Sequence, residues 1–265
     1  MPAPAPRRAL TGAQIEQFVT DGFVRVDDAF PRLLADQARD LLWRDLGLDP
    51  GDASGWTQPV VRLGMYTQPP FVAAAATPLL HAAFDQLAGP GYWRPCRGMG
   101  TFPVRFPSPD DPGDAGWHID VSFGQDEPNF LDWRANIRSR GRLLLMLFLF
   151  SDVGEDDAPT RIRVGSHHDI ARRLAPAGEA GLTLGELAAT GFAESAHRPE
   201  ALALGPAGTV HLCHPFLVHA AQPHRGAMPR FMAQPPLLPA DWPDGGVDPD
   251  CPIGRAVRDA LTTPG

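Results

Sequence analysis

At 265 residues and 43% hydrophobic content the chain is long enough to bury one large core, and a single domain over 1–265 is expected. A formal charge of -8 and a pI near 5.5 argue against a nucleic-acid backbone or an anionic membrane surface as partner, because either favours a basic patch; a small molecule remains. Cys96, Cys213 and Cys251 are few, odd in number and widely spaced, so neither a disulfide framework nor a paired-cysteine zinc motif is suggested, and a reducing cytoplasm fits best.

The segment Met1–Leu10 is broken by Pro2, Pro4 and Pro6 and no apolar signal core follows it, so a loose arm is expected. Thr11 and Gln14 form a capping-box pattern, after which Ile15, Phe18 and Val19 share one helical face until Gly22 ends the segment. Phe23, Val24 and Val26 predict a strand. Leu33, Leu34, Ala38, Leu41 and Leu42 recur at helical spacing, and a third helix is expected over Leu79 to Leu87. Residues 1–99 therefore read as a mostly helical layer.

From about Gly100 the pattern changes to short β-prone stretches: Phe102 to Phe106, Trp117 to Phe123, Arg142 to Phe150, Thr160 to Val164, Thr209 to His219 and Arg230 to Ala233. The apolar run Leu143 to Phe150 is too short for a membrane helix and reads as a strand buried on both faces. Helical signal returns at Asp169 to Leu174, Leu182 to Ala189 and Ile253 to Leu261. Prolines and glycines are spread along the chain, marking many turns. The expected architecture is mainly β: a barrel or sandwich over 100–240 with an α-helical N-terminal layer and a C-terminal tail or helix over 241–265.

One group of residues suggests chemistry. Two histidines and one carboxylate on one face of iron leave positions open for ligands, as oxygenases require. His118-Ile119-Asp120 supplies such a pair, since residues two apart on a strand share a face. A second match, His167-His168-Asp169, directly precedes Ile170-Ala171-Arg172-Arg173-Leu174, where Asp169 is better explained as a helix N-cap.

Four histidines compete for the third ligand: His211, His214, His219 and His224. A zinc cluster of His211, Cys213 and His214 is disfavoured, because adjacent strand residues face opposite sides and no second cysteine pair completes it. His219 is preferred because Arg230 opens the next expected strand, where a guanidinium grips a carboxylate with two parallel hydrogen bonds.

In that order along the chain these motifs resemble the phytanoyl-CoA dioxygenase family. Phe18-Val19-Thr20-Asp21-Gly22-Phe23-Val24 resembles its opening helix and strand, and Gly116-Trp117-His118-Ile119-Asp120 its proximal iron motif. Leu149-Phe150-Ser151-Asp152-Val153 and Ala158-Pro159-Thr160-Arg161-Ile162-Arg163-Val164-Gly165-Ser166-His167 resemble a strand pair ending in Pro-Gly-Ser-His, with Val164 in place of the proline. Gly208-Thr209-Val210, His219 and Arg230 resemble the distal histidine and the arginine that binds 2-oxoglutarate. The family's Ser and Asn after that histidine are replaced by Ala221 and His224.

The resemblance implies a double-stranded β-helix, or jelly-roll. It implies Fe(II) held by His118, Asp120 and His219, with 2-oxoglutarate and O2 as co-substrates and Arg230 on the distal carboxylate of 2-oxoglutarate. Arg105 and Thr160 are further cofactor-binding candidates. The expected outcome is oxidation of a small molecule, in a setting such as bacterial secondary metabolism. Hydroxylation is favoured, because related halogenases carry a small residue where Asp120 stands. The segment Phe123 to Arg140 is a candidate lid, with Trp133, Arg134 and Arg138 meeting substrate. A catalytically silent ligand-binding scaffold and a zinc hydrolase are the rival readings.

Overall fold

The computed structural model describes residues 9–242 and 244–262. Helix α1 (Gly12–Asp21) starts with a complete capping box: Thr11 Oγ1 accepts from Gln14 N at 3.2 Å and Gln14 Oε1 accepts from Thr11 N at 2.9 Å. It ends at Gly22, where φ of 85° requires glycine and a Cβ would lie 2.5 Å from His167 Nδ1. Strand β1 (Phe23–Val26), helix α2 (Arg32–Leu46), strand β2 (Val60–Leu63) and helices α3 (Pro69–Ala75) and α4 (Pro78–Ala88) follow. Short α3 escapes the sequence reading because Pro69-Pro70 reads as a breaker, whereas at a helix start proline costs no hydrogen bond.

The remaining chain alternates short strands with small helices. These are β3 (Phe102–Arg105), β4 (Arg134–Ala135), β5 (Leu144–Leu149), β6 (Arg161–Arg163), α5 (Ser166–Leu174), β7 (Leu182–Thr183), α6 (Leu184–Ala188), β8 (Glu200–Leu202), β9 (Val210–Cys213), β10 (His219–Ala220), β11 (Met232–Ala233), β12 (Pro236–Leu237) and α7 (Pro252–Thr262). The main antiparallel sheet runs β1-β9-β5-β11, with β12 also paired to β5; a second sheet runs β10-β6-β8. β2 pairs with β3, and β4 with β7.

Every residue of β5 is buried, as its continuous apolar run predicts, and the two faces serve different cores. Leu144, Met146 and Phe148 pack with Phe18, Ala38, Leu42, Phe71 and Phe84 of the helical layer. Leu145, Leu147 and Leu149 pack with Ile162, Cys213, Leu217 and Met232 between the two sheets. Each such side chain contributes roughly 1.5–3 kcal/mol by leaving water. The strand is the wall that the site is built against.

Several expectations need correction. Of the arm expected over Met1–Leu10, residues 1–8 lie outside the described residues, but Leu10 is buried and Gln86 Oε1 accepts from its N at 2.8 Å, so that end is tied down. Trp117 to Phe123 is not a strand: its ladder contacts are isolated bridges, His118 to His219 and Phe123 to Arg134, between loops rich in glycine and aspartate. Thr209 to His219 is broken at His214, whose N donates to Gly22 O at 2.8 Å, and Pro215 has no N–H for a ladder.

Asp169 does not cap α5. Gly165 does, and the Asp169 carboxylate lies within the first turn, held by Arg198 Nε and Nη2 at 2.8 Å each. Strand β1, expected from Phe23, Val24 and Val26, lies in the N-terminal part and forms an edge of the main sheet. Among the described residues no helix is long and apolar enough to cross a membrane. The three cysteines are unpaired.

Candidate active site

Two one-residue antiparallel bridges assemble the site. In the first, His118 N donates to His219 O at 3.0 Å and His219 N donates to His118 O at 2.9 Å, which puts both imidazoles on one side with ring centroids 4.3 Å apart. In the second, Arg105 N donates to Arg230 O at 3.1 Å and Arg230 N to Arg105 O at 2.8 Å. Directly opposed residues project to the same face. Both pairs line one cavity of about 670 Å³, together with Asp120, Thr160, Ala221 and Gln234.

At the first bridge His118, Asp120 and His219 each present a ligand atom, all within 4.8 Å of one another. The backbone selects the histidine tautomers. His118 Nδ1 lies 2.9 Å from Gly116 O and His219 Nδ1 lies 3.0 Å from Leu217 O, so each Nδ1 carries the proton and each Nε2 offers its lone pair. Burial, reinforced by neighbouring His118, pushes the His219 pKa down to about 4, which keeps the ring neutral.

Burial opposes ionisation of Asp120, but the Arg142 guanidinium and the two histidines outweigh it and hold the carboxyl below the usual range. Arg142 Nη1 donates to Asp120 Oδ2 at 3.0 Å, leaving Oδ1 as the atom that faces His219 Nε2 at 4.0 Å. Two imidazole Nε2 atoms and one carboxylate oxygen suit a divalent transition metal with open positions. No second cluster of this kind occurs among the described residues.

At the second bridge Arg230 is 1% exposed and Arg105 is 3% exposed. Arg230 Nη1 donates to Ala158 O and Nη2 to Pro103 O at 3.4 Å, while Nε has no partner. Burial and the neighbouring Arg105 pull the Arg230 pKa down to about 9, still protonated at neutral pH. Arg105 Nη2 donates to Asp114 Oδ2 at 2.7 Å, and its Nε and Nη1 are unpartnered. Buried unpaired guanidinium nitrogens are costly, and an anion entering the cavity would satisfy them.

Thr160 lies beside these groups, buried, with Oγ1 3.8 Å from Met232 Sδ. His224 is buried outside the cavity lining and its Nδ1 accepts from Gly226 N at 3.1 Å; His211 and His214 are also buried, bonded to Leu204 O and Ile253 O.

The lid residues expected from the sequence are not in the lining. Trp133 Nε1 donates to Glu127 O at 2.9 Å, Arg134 reaches Ala180 O and Gly181 O, and Arg138 forms an exposed ion pair with Glu179. The same segment instead contributes Phe130 and Leu131, from a single 3-10 turn at Phe130–Asp132. Arg142, Asp114 and Arg62 were missed. Arg142 carries the one available signal, a cation immediately before an all-apolar strand; Asp114 is indistinguishable in sequence from a turn aspartate.

Comparison with known proteins fits this geometry. The sequence profile of the phytanoyl-CoA dioxygenase (PhyH) family matches residues 18–232, which carry both bridges. This chain belongs to the phytanoyl-CoA dioxygenase family. A search of curated proteins gave no match. Among solved structures, HygX from Streptomyces hygroscopicus with nickel and 2-oxoglutarate bound is 18% identical with a TM-score of 0.57, over 92% of this chain and 98% of its own. EctD from S. alaskensis with 2-oxoglutarate and 5-hydroxyectoine is 21% identical with a TM-score of 0.57, over 88% and 77%. SnoK, a non-heme alpha-ketoglutarate-dependent carbocyclase from nogalamycin biosynthesis, is 14% identical with a TM-score of 0.58, over 98% and 95%. At these identities the likeness to this dioxygenase family member is one of fold.

Proposed function

We propose that this dioxygenase-family chain is an Fe(II)- and 2-oxoglutarate-dependent oxygenase that oxidises a small molecule, and that its two larger sheets form a distorted double-stranded β-helix within a single domain. The observation that carries this reading is the presence, in one cavity, of a two-histidine, one-carboxylate cluster and a buried arginine pair with unpartnered nitrogens. His118, Asp120 and His219 hold the metal, Arg230 takes the distal carboxylate of 2-oxoglutarate, and Thr160 and Arg105 flank it. Iron, 2-oxoglutarate and O2, once bound there, would supply oxygen activation coupled to decarboxylation of 2-oxoglutarate to succinate and CO2.

The protein's contribution is positioning. Carbonyls of Gly116 and Leu217 fix the tautomer and ring plane of the two histidines, and Arg142 fixes the free oxygen of Asp120. Ala158 O and Pro103 O orient the Arg230 fork before any ligand arrives, so little side-chain entropy is lost on binding. Apolar Phe130, Leu131 and Leu184 restrict water on the substrate side.

With Asp120 as a ligand, the place a halide would need would be taken, which favours hydroxylation over halogenation. The solved relatives include a carbocyclase and, in SnoN at a TM-score of 0.50, an epimerase, so substrate pose decides the outcome within this fold. HygX has also been solved with nickel, 2-oxoglutarate and hygromycin B bound, a precedent for a small molecule held in this fold beside the metal and 2-oxoglutarate.

The test is succinate formation from 2-oxoglutarate in air by purified, iron-loaded protein. Turnover that requires Fe(II) and disappears in His219→Ala supports the reading. A correctly folded, iron-loaded protein that makes no succinate with any small-molecule mixture points to a silent scaffold, and hydrolysis that persists without O2 or 2-oxoglutarate points to a zinc enzyme.

A further inference from the structure

The co-substrate leaves part of the cavity's charge unmatched. Arg62, Arg105 and Arg230 line it with Asp114. Asp114 Oδ2 accepts from both Arg62 and Arg105, and Oδ1 is buried without a partner. Three guanidinium groups therefore share this carboxylate, since Asp120, the other acid in the lining, is engaged by Arg142. With the distal carboxylate of 2-oxoglutarate on Arg230, a net positive charge remains at Arg62 and Arg105, beside the two unpartnered nitrogens of Arg105.

The rest of the lining has the opposite character. Phe130 and Leu131 are adjacent, 55% and 51% exposed, and both border the cavity, so together they form an apolar patch at its mouth. Leu184 and Ala188 of α6 continue this surface, and α6 is tied to the turn by Leu184 N donating to Trp133 O at 2.8 Å. A pocket with an apolar surface and a few convergent charged donors selects a molecule built the same way.

We infer that the substrate is an amphipathic organic anion whose charged group sits between Arg62 and Arg105 and whose apolar body lies on Phe130, Leu131, Leu184 and Ala188. This rests on the oxygenase reading above. Arg105, anchored by Asp114, supplies the buried donors; Arg62, on β2 opposite β3, supplies a solvent-side donor at the entrance. Charge-assisted bonds to a guanidinium are about twice as strong as neutral ones, so an uncharged analogue pays the desolvation of Arg105 without return.

The test uses the anaerobic protein loaded with Fe(II) and saturating 2-oxoglutarate. Three matched probes are titrated: 3-phenylpropanoate, 2-phenylethyl phosphate and neutral 3-phenylpropanamide. Binding is read from the visible absorption of the chelate and from tryptophan fluorescence, since Trp117 lines the cavity. The expected result is that at least one anion binds about tenfold or more tightly than the amide, a difference of about 1.4 kcal/mol. Which anion prefers the site separates a carboxylate from a phosphate ester.

Arg62→Gln, an exposed change that does not threaten folding, is expected to reduce that preference about threefold to tenfold. Phe130→Ala is expected to weaken anion and amide alike. Equal binding of anions and amide, failure of all three to bind, or an anion preference that survives in both Arg62→Gln and Arg105→Gln overturns the inference. A chelate that does not form in wild type instead removes the oxygenase reading itself, and this inference with it.

Discussion

Replacing Arg230 with methionine tests the division of labour between the two bridges. The side chain is 1% exposed and held in place by Ala158 O and Pro103 O, so its unpartnered Nε and any nitrogen a ligand recruits are pre-aimed. A charge-assisted hydrogen bond is worth about 1.5–3 kcal/mol, and losing a fork of two costs several. Arg105 stands beside it and compensates in part, so the net loss is about 3 kcal/mol, or roughly two orders of magnitude in 2-oxoglutarate affinity. Steady-state succinate formation is expected to show the apparent KM for 2-oxoglutarate rising by about that factor. The Fe(II) requirement is expected to change little, because Arg230 belongs to the other bridge. Arg230→Lys recovers only part of the loss, since an ammonium is a point charge without the fork. A folded Arg230→Met protein with an unchanged KM for 2-oxoglutarate would refute the assignment.

Other perturbations report on separate parts of the structure. Arg142→Gln removes the guanidinium from Asp120 Oδ2, and metal retention measured by competitive chelation is expected to fall about 10–100-fold; no change would mean the contact does not position the ligand. Gly22→Ala forces a side chain into φ of 85° and into His167 Nδ1 at 2.5 Å, so denaturant unfolding is expected to show a loss of at least about 1–2 kcal/mol; a neutral result contradicts the packing. Burial pushes His214 and His211 down to about 3 and about 4, so the unfolded chain binds protons that the folded one refuses. Their contribution is present above the unfolded histidine pKa near 6.5 and is lost as pH falls towards 3–4, by up to about 1.4 kcal/mol per pH unit for each. Denaturation of the metal-free protein across that range is expected to show this slope, reduced in His211→Gln, and a flat profile contradicts it.

Much of this was legible because short-range rules and burial agreed. Thr11, Gln14 and Gly22 bound α1 by local hydrogen bonds and a positive φ, and Leu143 to Phe150 identified a two-faced strand through composition alone. The spacing of His118 and Asp120 gave the right juxtaposition for a partly wrong reason. They lie on a loop pinned by one bridge, and the i-2 carbonyls of Gly116 and Leu217, rather than a strand's alternation, aim the rings. What stayed hidden depends on contacts distant in the chain. Arg142 meets Asp120 and Arg62 meets Asp114 only after β5 and β2 are in place, and nothing local separates such arginines from surface ones. Trp133, Arg134 and Arg138 show the converse: residue types suited to a lid turn to Glu127, Ala180, Gly181 and Glu179.

The most direct test of the central claim is anaerobic addition of Fe(II) and 2-oxoglutarate to the metal-free protein, monitored by visible absorption. A weak metal-to-ligand band that needs both additions, disappears in His219→Ala and requires more 2-oxoglutarate in Arg230→Met is the predicted result. A folded, Fe(II)-loaded wild type that shows no band at any 2-oxoglutarate concentration would contradict it.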